Sequence, residues 1–234
     1  MQYPQFIVVA CAAFLANGAG GLFARRVTDR RHLALGFSAG TVSAAAFFVF
    51  LPRAMLGDPK AHGADQILPL VGLGFVIALL LDRLGSFRIG EGEGHGTTRK
   101  HHVHGVLNGA AAGMAYQVSP AIGGIAAAAL LVHEFSDSAD AMREALHHGL
   151  QRPDLRSSCV SSLCFAAGLA ATGFWAVTPA LLSAGLALFG GYFIYLSASE
   201  LIPESHHRHP QLLTVAMTFG GAGALYLAGH ILGL

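Results

Sequence analysis

Leu130-Leu131-Val132-His133-Glu134-Phe135-Ser136-Asp137-Ser138-Ala139-Asp140 closes an apolar run that begins at Pro120, and it places four ionisable side chains where the preceding residues are almost all Ala, Gly, Ile, Leu and Val. Positions 133, 137 and 140 follow i, i+4, i+7 spacing, so on a helix they share one face. Titratable groups at membrane depth are costly unless paired, hydrated or bound to a metal, and they mark sites of function. The stripe therefore predicts a helical membrane protein with a cation site inside it.

The rest of the chain agrees with that environment. Hydrophobic residues make up 53% of the 234 and charged residues 12%, far below the roughly one quarter charged of soluble domains, and the mean hydropathy is +0.55. Apolar stretches fall at about 4–24, 33–52, 67–87, 102–118, 121–143, 157–177, 180–202 and 211–232, each near the ~20 residues a spanning helix needs. The expectation is one transmembrane domain over 1–234, an all-α bundle of eight spans, with a His-containing loop at 88–101. The first stretch lacks a basic n-region and an A-x-A site, so it reads as a span rather than a removable signal.

Basic residues choose the orientation. Arg25, Arg26, Arg30 and Arg31, then Arg83, Arg88, Arg99 and Lys100, then Arg143, Arg152 and Arg156, and finally Arg208 all fall in alternate loops, leaving Arg53 and Lys60 on the other side. The positive-inside rule makes those loops cytoplasmic and puts both termini outside a cell (inner) membrane. His32, His95, His101, His102, His147, His148, His206, His207 and His209 then lie on the cytoplasmic side, either as weak metal-delivering groups or as plain polar linkers. A net charge of +1 gives no reason to expect a nucleic-acid partner, and Cys11, Cys159 and Cys164 lack metal-knot or disulfide spacing.

Two internal patterns stand out. Ala39-Gly40 precedes Leu51-Pro52 by the spacing at which Gly190-Gly191 precedes Ile202-Pro203, on spans of opposite direction, as in inverted-repeat transporters. Gly105, Gly109 and Gly113 form a small-xxx-small series that lets helices approach closely.

Counting 1.5 Å per residue from the turn at Ser119-Pro120, His104 and His133 both lie about 20 Å below it, near mid-bilayer. Asn108 follows His104, and Asp137 follows His133, at i+4, so each helix offers one imidazole and one oxygen donor. That set suits divalent transition metals. Glu134, turned about 100° away, is open to three readings: ligand, proton acceptor or ion-pair partner. Asp140 continues the stripe toward the cytoplasmic face. Glu200 and Glu204 flank Pro203 at the inner mouth, for metal handoff or for simple solvation. Asn17 and Gln117 read as packing groups.

His133-Glu134-Phe135-Ser136-Asp137-Ser138 resembles the H-[NE]-F-[TPS]-[DE]-G signature of the fifth helix of ZIP (Zrt/Irt-like) metal transporters. His104-Gly105-Val106-Leu107-Asn108-Gly109 resembles the fourth-helix signature. Phe193-Ile194-Tyr195-Leu196 with Glu200-Leu201-Ile202-Pro203-Glu204, and Phe37-Ser38-Ala39-Gly40 through Phe47 to Leu51-Pro52, are similar to the family's seventh and second helices. The resemblance implies eight spans with inverted repeats and a divalent ion, zinc foremost, carried as substrate into the cytosol. It brings no enzymatic activity, no resident cofactor, and partners limited to metal ions, lipid and a second copy in a homodimer. The chain departs from the pattern at Val49, Arg53, Gly105, Asn108 and Ser138. Outside the family, the same ligands fit a membrane-embedded zinc hydrolase with Glu134 as base, or a non-transporting sensor. An imidazole site predicts that metal binding weakens as pH falls through the histidine range, because protons compete for the ligand nitrogens.

Overall fold

The computed structural model describes residues 3–26, 31–57, 64–88, 95–147, 155–206 and 212–233, and all the regular structure among them is helical. Eight helices follow one another in these residues. They are α1 (Tyr3–Arg26), α2 (Arg31–Ala44, widening into a π-helical turn over Ala45–Phe50 and ending in Leu51–Leu56), α3 (Ala64–Arg88) and α4 (His95–Val118). The series continues with α5 (Pro120–His147), α6 (Leu155–Gly173), α7 (Pro179–Tyr195, with a π-helical turn over Leu196–Leu201 and a last turn Ile202–His206) and α8 (Leu212–Ile231). Arg30, Lys60, His148, Arg152, His207, Arg208 and His209 lie outside the described residues.

Local sequence explains the starts of α5 and α7. Ser119 Oγ accepts from the Ile122 amide at 3.2 Å, and Thr178 Oγ1 accepts from the Leu181 amide at 3.3 Å. Each cap is followed by proline, whose missing N–H costs nothing in the first turn. The helices run past the apolar stretches: α4 begins at His95, within the segment expected as a loop, and α5 and α7 reach His147 and His206. Hydropathy marks where lipid ends, whereas backbone hydrogen bonding continues into polar sequence beyond it.

Five helices, over Pro4–Arg26, His32–Leu56, Asp65–Leu84, Pro179–His206 and Leu212–Ile231, are long and apolar enough to cross a membrane. The apolar part of α6, Ser158–Gly173, is shorter, and α4 and α5 carry the polar residues of the candidate site.

The two π-helical turns have a common cause. A proline inside a helix lacks an N–H and its ring meets the carbonyl four residues back. Just ahead of Pro52 and Pro203 the helix widens instead, with the Leu51 amide donating to Ala46 O and the Ile202 amide to Ser197 O. One sequence shift carries Gly40 to Gly191, Ala45 to Leu196 and Pro52 to Pro203.

Helix pairs are fastened where glycine lets backbones touch. A Cβ on Gly109 would strike Phe165 O, and one on Gly168 would strike Val106 O, which locks α4 to α6. Gly40 meets Thr218 O and Gly221 meets Phe37 O between α2 and α8, while Gly191 meets Val71 O and Gly74 meets Leu188 O between α7 and α3. In the α1–α5 pair, Gly20 meets Phe135 O, and Ser138 takes the reciprocal position with its hydroxyl donating to Asn17 O at 2.7 Å. Further contacts join α4 to α5, α1 to α6, and α2 to both α5 and α7. The buried core draws on α2, α4, α5 and α7, among them Val42, Ala112, Leu130 and Phe193. The site sits between the middle two.

Candidate metal centre

α4 and α5 pack against each other, and Ala111, Ala112 and Ala115 of the first and Ala126, Ala127 and Ala129 of the second are buried. Small side chains bring the two axes close together, so that polar groups one turn further down reach across the gap. There His104 on α4 and His133 and Asp137 on α5 present ligand atoms that all lie within 4.8 Å of one another. Two donors bound to one zinc at about 2.1 Å each lie at most roughly 4.2 Å apart, so small side-chain rotations suffice to seat a single ion. His133 is 1% exposed, and His104 and Asp137 are half-buried.

A layer of carboxamides surrounds the remaining carboxylate. Glu134, 2% exposed, accepts from Asn108 Nδ2 at 2.8 Å through Oε1 and from Asn17 Nδ2 at 3.0 Å through Oε2. Asn17 also donates to Ser162 Oγ at 3.2 Å, tying α1, α5 and α6 together at this level. Two charge-assisted bonds stabilise a carboxylate withdrawn from water. They also orient Asn108, whose Oδ1 is fully buried and accepts no hydrogen bond among the described residues. Asn108 stands one helical turn from His104 on α4.

Glu134, Asp140, Glu200 and Glu204 are not members of the close cluster. Asp140 is half-buried on α5, Glu200 is half-buried within the π-helical turn of α7, and Glu204 is exposed in the last turn of that helix. Asn17, read from the sequence as a packing group, holds the Glu134 carboxylate, and Gln117 accepts from the Val177 amide at 3.1 Å and donates to Trp175 O at 2.8 Å, pinning the α6–α7 connection.

Tyr192 was not singled out by sequence reasoning. Its ring stands edge-to-face on the His104 imidazole, centroids 6.2 Å apart at 87°, and its hydroxyl is buried with no hydrogen-bond partner among the described residues. A lone tyrosine after Gly190-Gly191 carries no periodic polar signal.

One further regularity concerns the two site helices. The shift that carries His104 to His133 also carries Asn108 to Asp137, and it carries the fastening residues Val106 and Gly109 to Phe135 and Ser138.

These features define an all-helical protein with several membrane-span-like helices and a His/His/Asp group, one member buried and two half-buried, able to hold a metal ion. No protein-family model and no curated protein matches the chain.

Proposed function

We propose that the protein moves divalent transition-metal ions, zinc foremost and iron, manganese or cadmium as related substrates, across the cell membrane into the cytosol, in the manner of the ZIP family. The observation that carries this reading is the meeting of two imidazoles and a carboxylate from neighbouring helices within an apolar core. A cation passing through lipid needs such a replacement for its water shell.

The register of the helix contacts supports an inverted repeat. In that reading α1, α2 and α3 correspond to α6, α7 and α8, α4 corresponds to α5, and each pair runs in opposite directions. His104 and His133 then occupy equivalent places on either side of a pseudo-twofold axis, which is where transporters of this architecture bind substrate. All eight helices cross the membrane, α4 and α5 included, because their polar faces are turned to each other and not to lipid. Glu200 and Glu204 lie on the cytoplasmic side, below the site on the exit route.

Both Glu134 oxygens are engaged by carboxamides. This argues against the water-activating base that a membrane zinc hydrolase requires. It suits instead a fixed negative charge beside the ion.

The test is zinc uptake into proteoliposomes containing the intact protein, His133→Ala or Asp137→Ala. Uptake by the intact protein and its loss in both variants is the expected result. Flux unchanged in both variants, or zinc binding without any flux, refutes transport through this site.

A further inference from the structure

We propose that Tyr192 is a positioning residue of the metal centre, its ring fixing the plane of the His104 imidazole and its hydroxyl donating a hydrogen bond to an oxygen ligand of the bound ion. The inference rests on the transport site proposed above and adds a component from a third helix. Tyr192 belongs to α7, whereas the ligands belong to α4 and α5.

Three observations lead to it. The edge-to-face contact with His104 restricts rotation of a ring that has to aim one nitrogen at the ion. The residue is 7% exposed, and its hydroxyl has no hydrogen-bond partner among the described residues. A buried hydroxyl with nothing to bond destabilises the protein, so a phenylalanine would serve better if packing were the residue's only role. The cost is explained if the donor finds its acceptor when the ion arrives, in the Asp137 carboxylate or in a water carried by the ion. Outer partners of this kind orient a ligand and raise its affinity for metal.

Local packing holds Tyr192 at this spot. Gly191 lets α7 close on the backbone of α3, and Gly190 receives the Leu51 side chain from α2. The neighbouring Phe193 ring meets that of Tyr192 at 5.0 Å and 66°. The tyrosine therefore has little freedom to leave His104.

Tyr192→Phe separates the hydroxyl from the ring. Cobalt(II) is titrated into the purified intact protein, His133→Ala and Tyr192→Phe, following the visible d–d bands and affinity, and the melting temperature of each metal-free protein is recorded. The expected result is that Tyr192→Phe binds cobalt on the order of tenfold more weakly, with shifted d–d bands, while its metal-free form melts at the same temperature as wild type or higher. Wild-type affinity and spectrum in Tyr192→Phe overturn the inference while leaving the transport site standing. If the wild-type protein itself binds no cobalt, or His133→Ala binds it equally well, the site reading fails and this inference with it.

Discussion

At the scale of single residues, the centre is an asymmetric pair built from matching parts. One shift relates His104 to His133 and Asn108 to Asp137, yet only α5 carries a third group, Glu134, because the corresponding position on α4 is Gly105. Asn108 answers that asymmetry by donating to Glu134. Asn108→Ala leaves Oε1 of a buried carboxylate without that donor, at a cost of about 1–3 kcal/mol, and the metal-free protein should melt lower in detergent. Asn108→Asp should melt lower still, since two carboxylates then face each other, and adding zinc should recover more stability than it does in wild type. Equal melting of Asn108→Asp and wild type without metal would show that the 2.8 Å bond contributes nothing. His133, Asp137, His104 and Asn108 were legible in the sequence because they repeat at i+4 spacing within apolar surroundings. Tyr192 and the role of Asn17 were not, since neither has a polar neighbour at i+4 on its helix and the partner of each belongs to a distant part of the chain.

At the scale of helices, backbone contact through glycine does what hydrophobic burial does in water, where lipid offers no such driving force. Gly109→Ala forces a methyl into the Phe165 carbonyl, and neither backbone can yield as a flexible side chain would. The expected loss is about 1–3 kcal/mol or more, seen as a lower melting temperature and poorer recovery from membranes. Gly168→Ala should behave alike, and the double variant should lose less than the sum, because helices already pushed apart accept the second methyl more easily. Gly220→Ala, with open space around it, should be neutral. If Gly109→Ala and Gly220→Ala behave alike, the close approach of α4 and α6 is not a source of stability. Hydropathy located all eight helices, and the Gly105, Gly109, Gly113 series pointed to close packing, with all three meeting α6. The π-helical turns could not be read in advance, because Pro52 and Pro203 signal a disturbance without saying whether the helix kinks or widens.

For the whole molecule, the question is whether the eight helices reverse direction as the inverted repeat requires. The proposed topology has an even number of spans with the arginine-rich connections on the cytoplasmic side, and so predicts a C-terminus outside. Alkaline phosphatase fused after Leu234 should therefore be active and green fluorescent protein fused there dark, with the opposite result for fusions made just after Arg88. The proposed transport needs all eight helices to cross, so that α4 and α5 run antiparallel through the membrane and the equivalent histidines meet at one depth. A fluorescent C-terminal fusion would imply an odd number of crossings. One of the two site helices, which are less apolar than the five evident spans, would then fail to cross, and the shared register of His104 and His133 would have to arise from a re-entrant hairpin instead of a repeated pair.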